Sequence, residues 1–410
     1  MKKVFLTIII AVLIYGAEKM SKIIKLLKSA IFETDILLIF LCVAASFFGV
    51  LMVHSATTLQ IEEGALMSRD ARTMLLAVCA GVIGALIISF IDYKFISKMF
   101  PVIGAVCIIM MLALFIPGVG VGPAERPDAK TWILLGSTGL FFQPSELVKI
   151  GFIITFSMHL ELVQDKIRNI LHLAGLVVHG IIPVGLVILT GDLGSALVFM
   201  IIFVTMLFLA GVQLRYFILG FAGVCASIPA IWYFFFSETQ KERFLGLIYP
   251  ERYPDIMYQQ NKGLEAIASG GLTGQGLFNG TYTQNEIVPE SENDMIFTVI
   301  GEELGLIGCI LAFAVLIAII AKIITVGAKS GENATSLMCY GVAAMFAAQI
   351  IINIGMCLKI FPVIGITLPF FSAGGSSNLC IYIGIGLIMS IYRFTREKEV
   401  VNIRFSNIAK

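Results

Sequence analysis

The acids best placed to do chemistry gather late in the chain. From Ser269 to Gly308 the sequence reads SGGLTGQGLFNGTYTQNEIVPESENDMIFTVIGEELGLIG, a polar, glycine-rich segment that carries Asp294 and then enters an apolar helix still holding Glu302 and Glu303. A carboxylate at such a boundary can serve as a general base or help to hold a divalent cation. Upstream, Glu146 and Lys149 stand three residues apart, hence on one helix face, and Asp192 lies in a glycine-flanked break, GDLGSA. Each acid also has a local explanation, since Glu146 and Glu302 near helix N-termini complement the helix dipole. Glu146, Lys149, Asp192, Glu302 and Glu303, five ionisable groups at one level, point instead to a water-accessible cavity with Asp294 at its mouth, because such groups in apolar spans are costly unless paired or wetted. Lys149 and Lys359 would offer that cavity positive charge, and a lysine beside helix N-termini can hold a phosphate or pyrophosphate.

The elements that position these groups are membrane helices. The 410 residues are 58% hydrophobic and 13% charged, against about half and about a quarter in soluble domains. Apolar runs of about 20 residues match the length a helix needs to cross a bilayer core, whereas a membrane barrel would show short alternating segments. Ten spans are expected, near residues 35–55, 73–91, 97–117, 146–163, 171–189, 194–211, 216–236, 296–321, 334–357 and 377–393. The expected fold is an all-α polytopic membrane helix bundle with a long extracellular loop, 237–296, between spans seven and eight. The net charge of +1, with no basic arm or aromatic-interleaved groove, gives no basis for a nucleic-acid partner.

Lys and Arg in short loops mark the cytoplasmic side. Lys94, Lys98, Lys166, Arg168, Arg215, Lys322, Lys329, the N-terminal lysines and the tail with Arg393, Arg396, Lys398 and Arg404 all fall on one side. Both termini are therefore expected in the cytoplasm, and Asp294 on the outer face. Residues 1–30 form a basic and apolar extension whose short apolar run is signal-like, and Met20 is an alternative start. Residues 31–396 make the membrane domain, and 397–410 a cytoplasmic tail. Within the long loop, an amphipathic helix near 259–267 is expected to lie in the membrane interface. The GGLTGQG run lacks the lysine and the strand–helix context of a nucleotide loop and reads as tight turns. The eight cysteines and four histidines are scattered through apolar runs without ligand spacing, so neither disulfides nor a zinc site are expected.

Five blocks together resemble the SEDS family (RodA, FtsW and SpoVE): TWILLG with FFQPSELVK (131–149), GDLGSA (191–196), YQQNKGLEAIASGGLTGQG (258–276), VPESENDMIFTVIGEELGLIG (288–308) and FPVIGITLPFFSAGGSS (361–377). The resemblance implies a ten-span bundle that polymerises peptidoglycan glycan strands, with lipid II, an undecaprenyl-pyrophosphate-linked disaccharide-pentapeptide, as donor and acceptor. It implies that Asp294 is the catalytic base, deprotonating the acceptor 4-hydroxyl for an inverting attack. It places Glu146, Lys149, Asp192, Trp132, Arg243, Ser376 and Ser377 as substrate-binding residues, and leaves Glu302 and Glu303 to shape the helix entrance. Mg or Mn at Asp294 is the only cofactor to be considered. The implied partners are a class B penicillin-binding protein and other cell-wall assembly proteins, serving elongation, division or sporulation. Departures from the family pattern occur at Thr131 (usually Arg), Gly191 (usually Pro), Ala373 (usually Tyr) and Asn293 (usually His), and they bear on the branch within the family. A lipid II flippase and a scaffold of the wall-assembly complex are the alternatives.

Overall fold

The computed structural model describes residues 35–122, 129–134, 136, 141–234 and 236–408, with side chains described as far as residue 396. The N-terminal extension and the Met20 start lie outside the described residues. Ten helices occupy the ten expected spans: α1 (Ile36–Ala56), α2 (Arg69–Ser89), α4 (Phe100–Ala113), α5 (Pro144–Leu162), α6 (Ile170–Leu189), α7 (Leu193–Leu209), α8 (Leu214–Phe234), α12 (Ile296–Lys329), α13 (Asn333–Cys357) and α14 (Gly375–Ile408). Four short helices supplement them: α3 (Tyr93–Lys98), α9 (Glu238–Ile248), α10 (Pro254–Gly270) and α11 (Thr281–Gln284). Seven of the ten are long and apolar enough to cross a membrane unaided, while α4 and α7 are apolar but shorter. Starts are set by ordinary capping chemistry. Asp35, Ser68, Asn169 and Asp192 accept hydrogen bonds from the first turns of α1, α2, α6 and α7, and Pro144 opens α5.

The bundle is organised around α13, which packs on α12, α7 and α5, and around α14, which packs most extensively on α2. A Cβ at Gly386 would come within 2.9 Å of the Ala85 Cα, so the closest α2–α14 approach requires glycine there. By contrast, α8 has no buried residue. At one end of the bundle, the loop end, lie residues 57–68, 114–122, 129–134, 141–143, 190–192, 237–295 and 358–374. The opposite end carries the Lys94–Glu332 and Lys322–Asp35 ion pairs, at 3.7 and 2.6 Å. All eight cysteines are free thiols. The Trp132 loop contains a small antiparallel sheet that composition did not announce: β1 (Gly120–Val121), β2 (Trp132–Leu134) and β3 (Phe141–Phe142), in the order β1–β2–β3.

The long loop folds into α9, α10 and α11. The expected interfacial helix exists as α10, but its buried face (Met257, Gln260, Gly263, Ala266) lies on protein, packed on α12. Small residues near its contact let the two backbones approach closely, so α10 is pinned rather than left to the interface. Its anchor is a break in α12, where Gly305 has φ 67° and ψ −164°. The break leaves backbone groups unpaired within an apolar helix, and each must find a partner. The glycine turns at 270–276 supply them. Gln275 and Gly276 donate to the carbonyls of Glu302 and Glu303, both at 3.0 Å, while Leu306 and Ile307 donate to the carbonyls of Gly271 and Leu272 at 3.0 and 3.2 Å.

A side chain at Gly305 would collide with the Gly274 nitrogen and come within 2.7 Å of the Leu272 carbonyl oxygen. Gly305→Ala should therefore combine backbone strain of about 1–3 kcal/mol with overpacking of similar size. The expected outcome is a clearly lower melting temperature of the detergent-purified protein, with protease cleavage appearing first in 271–280.

Candidate active site at the loop end

The site is built on the connection between α13 and α14, residues 358–374, which runs back into the loop end of the bundle. Its backbone polar groups are held by side chains from distant segments. Gln260 on α10 donates to the carbonyls of Met356 and Phe361, both at 2.8 Å. Arg243 on α9 donates to the carbonyl of Val363 at 2.8 Å. The Asn353 amide on α13 donates to the carbonyls of Ile366 and Asp294, again at 2.8 Å each. The Ala373 amide donates to the carbonyl of Glu292 at 2.8 Å, and Asn378 caps the turn by donating to the carbonyls of Ser372 and Gly374. The connection thus fixes both the segment that carries Asp294 and the start of α14.

Asp294 itself sits two residues before α12, 8% exposed, and its Oδ1 has no hydrogen-bond partner among the described residues. Burial raises its carboxyl pKa to about 7, the Glu290 carboxylate adds to the rise, and the Arg243 guanidinium opposes it. Burial likewise raises Glu292. An unpaired acid whose pKa is near neutrality, close to a guanidinium, suits a general base beside an anionic leaving group.

A second polar centre lies on α5. Lys149 is fully buried and pairs with Glu146 at 2.7 Å; Glu146 accepts from the Ser377 hydroxyl at 3.4 Å, and Ser377 contacts Thr367 at 3.2 Å. Through Thr367 and Ser377, the pair reaches the same 358–374 connection that holds Asp294. Ser376 is half-buried in the first turn of α14 beside it. The Lys149 ammonium is thus engaged by Glu146 rather than presented to an open cavity. Asp192 caps α7 through the Ser195 amide and accepts from Gln143, both at 2.9 Å. The neighbouring α7 start abuts the connection, since a Cβ at Gly194 would meet the Ile364 carbonyl at 2.6 Å. Trp132 lies on β2, 5.8 Å from the Phe141 ring, and the hairpin is tied to the α6–α7 turn where Lys130 donates to the Thr190 carbonyl at 2.9 Å. Lys359 donates to Asn261 at 2.7 Å.

Glu302 and Glu303 belong to different surroundings. Both are fully buried. Glu302 accepts from the Tyr282 and Thr283 amides and the Thr283 hydroxyl, at 2.6, 2.9 and 2.6 Å. Glu303 accepts from Ser55 on α1 at 2.7 Å and from Gln284 at 3.1 Å. They staple α11 and α1 to the first segment of α12, about 12 Å along the helix from Asp294. Reasoning from ionisable residues alone missed Asn353, Gln260 and Asn378. A polar amide in an otherwise apolar run, as in IIINIGM, is the signal that would have found Asn353. No group of three His, Cys, Asp or Glu side chains among the described residues could hold a metal ion, so Asp294 has no built ligand set around it.

Removing one member of a buried ion pair costs about 3–5 kcal/mol, because the other charge is left alone. Lys149→Met should lower the melting temperature sharply, and adding Glu146→Gln should recover most of the loss. A double mutant as unstable as the single would show that the pair is not the source of the effect.

A family model for cell cycle proteins, the FtsW, RodA and SpoVE group, matches residues 35–397. The chain is 31% identical over 367 residues to the probable peptidoglycan glycosyltransferase FtsW of Trichlorobacter lovleyi, covering 88% of this chain and 93% of that one. It is 30% identical over 346 residues to the peptidoglycan glycosyltransferase MrdB of Escherichia coli K12, covering 83% and 90%. The fold is shared with a solved structure described as "Structural coordination of polymerization and crosslinking by a peptidoglycan synthase complex" (TM-score 0.73, 24% identity, 88% and 98% covered). It is also shared with the rod shape determining protein RodA of Thermus thermophilus (TM-score 0.64, 23% identity, 88% and 97% covered). With a family match running from α1 into α14 and a relative 31% identical over 88% of this chain, the protein is a member of the FtsW/RodA/SpoVE family.

Proposed function

We propose that this protein is a peptidoglycan glycosyltransferase that polymerises lipid II on the outer face of the cytoplasmic membrane, with both termini in the cytoplasm. The observation that carries the mechanism is Asp294: buried, with one unpartnered carboxylate oxygen and a pKa raised to about 7, beside Arg243. Asp294 takes the proton from the acceptor 4-hydroxyl as that oxygen attacks the anomeric carbon of the donor. The bond from that carbon to the lipid pyrophosphate breaks, the pyrophosphate carries away the electron pair, and the configuration inverts. Arg243 offsets the charge that develops on the leaving group. The two sugars lie at the loop end among Ser376, Ser377, Asp192 and Trp132, and the closed Glu146–Lys149 pair supports this region through Ser377.

Among the described residues no group of three His, Cys, Asp or Glu side chains surrounds Asp294 to hold Mg or Mn. The proposed partner is a class B penicillin-binding protein. Its single span would pack on the lipid-facing side of α12, where Leu306, Ile310 and Phe313 are about half exposed. Its outer domain would meet α9–α11, with other wall-assembly proteins recruited around the pair.

The test is lipid II polymerisation by the purified protein, alone and with its transpeptidase. Asp294→Asn should cut the rate by about 10²–10⁴-fold, the usual worth of a positioned base, while the melting temperature stays near that of the wild type. A base must be deprotonated, so activity should fall as pH drops through about 7. The Glu290 carboxylate helps to raise that pKa, so Glu290→Gln should move the acidic limb to lower pH. Unchanged glycan synthesis by folded Asp294→Asn would overturn the assignment, and translocation of lipid II without any polymer from the wild type would favour a flippase.

A further inference from the structure

A cavity away from Asp294 opens on the side of the bundle. It lies between α4, α5 and α6, has a volume of about 310 Å³, and is walled by residues that include Met111, Val148, Phe152 and Leu186. That volume falls within the roughly 300–1,000 Å³ usual for ligand sites. Ile108, Val178 and Ile182, which line it, are 43%, 57% and 45% exposed, so its open side faces the surroundings of the bundle between α4 and α6. Those surroundings are the bilayer.

Besides the buried Cys107 thiol, the lining has two polar side chains, His179 and Thr155, and both are satisfied without a ligand. One ring nitrogen of His179 meets His159 at 3.0 Å and the other meets the Thr155 hydroxyl at 3.2 Å. Thr155 in turn donates to the Phe152 carbonyl at 3.1 Å. These bonds use both histidine nitrogens and the one hydroxyl proton, so the wall offers a head group no donor stronger than the Cys107 thiol. An apolar cavity does not retain water either. What fits is hydrocarbon alone.

The depth of the cavity indicates which hydrocarbon. It extends along α5 from Val148 to Thr155, about 10 Å. Its upper wall, at Met111, Val148 and Leu186, begins within one helical turn of Glu146 and just beneath the α6–α7 turn that carries Asp192. A chain hanging from a pyrophosphate at the loop end would enter there and finish near the middle of the bundle. We propose that this cavity receives the polyprenyl chain of the lipid-linked substrate, an inference that rests on the glycosyltransferase reading above.

The experiment uses the full-length protein in phosphatidylglycerol nanodiscs. One arm contains a diazirine-tagged polyprenyl phosphate and the other a phosphatidylglycerol with the same tag on an acyl chain; adducts are mapped by mass spectrometry. The expected result is polyprenyl labelling at Ile108, Val178 or Ile182, about tenfold above the acyl probe. Untagged polyprenyl phosphate should compete it away. Ile182→Trp, which fills the cavity, should abolish the labelling, while Ile181→Trp on the neighbouring exposed surface should preserve it. Equal labelling by both probes, or polyprenyl labelling only outside the cavity, would overturn the proposal. Polymerisation by the wild type is measured in parallel. Polymer without cavity labelling overturns the chain site alone, whereas competed, variant-sensitive labelling without polymer upholds the site and overturns the enzymatic reading.

Discussion

One side-chain amide holds the site in register. Asn353 gives its two amide hydrogens to the carbonyls of Asp294 and Ile366, which joins the segment entering α12 to the connection leaving α13. Both carbonyls are buried in an apolar bundle, where an unpaired acceptor costs about 1–3 kcal/mol. The amide therefore fixes the backbone that carries Asp294 without touching the Asp294 carboxylate itself. That leaves the Asp294 Oδ1 free of partners, and the freedom matters for a base. Gln260, Arg243 and Asn378 repeat the pattern around the same connection, so an irregular segment deep in the bundle has its backbone satisfied from three sides.

Two carboxylates of similar intrinsic acidity take different parts because of what surrounds them. Glu146 faces an ammonium and a hydroxyl, which close it into a structural contact. Asp294 faces burial and the Glu290 carboxylate with only Arg243 in opposition, and its affinity for a proton rises. The first arrangement fastens α5 to α14, and the second supplies a group able to exchange a proton near neutral pH. Geometry of this kind separates structural from chemical acids more sharply than position along the chain does.

Much of the scaffold was legible in the sequence because membranes make the signal one-dimensional. Apolar runs of fixed length gave ten spans within a few residues, and charges at their ends gave the candidates. Asp294 stands out among these acids only through the resemblance, since an acid just before a helix also has a simple capping role. Glu302 and Glu303 were harder to place, because only the fold shows that the partners awaiting them are amides of α11 and a serine of α1. The contact of His159 with His179 was invisible, since it joins residues 20 apart on separate helices. The β hairpin near Trp132 was equally hidden, its strands being two or three residues long.

The interruption of α12 at Gly305 has a mechanical meaning. An unbroken helix of 34 residues would transmit a twist from one end to the other as a rod does. Here the rod is cut into two lengths, and the splice is made of four hydrogen bonds from an outside turn. Torque applied to the lipid-facing length must pass through that turn before it reaches the segment bearing Asp294. The turn is continuous with α10, whose Gln260 grips the α13–α14 connection. A neighbour leaning on α12 would therefore move the Asp294 segment through a joint and a lever.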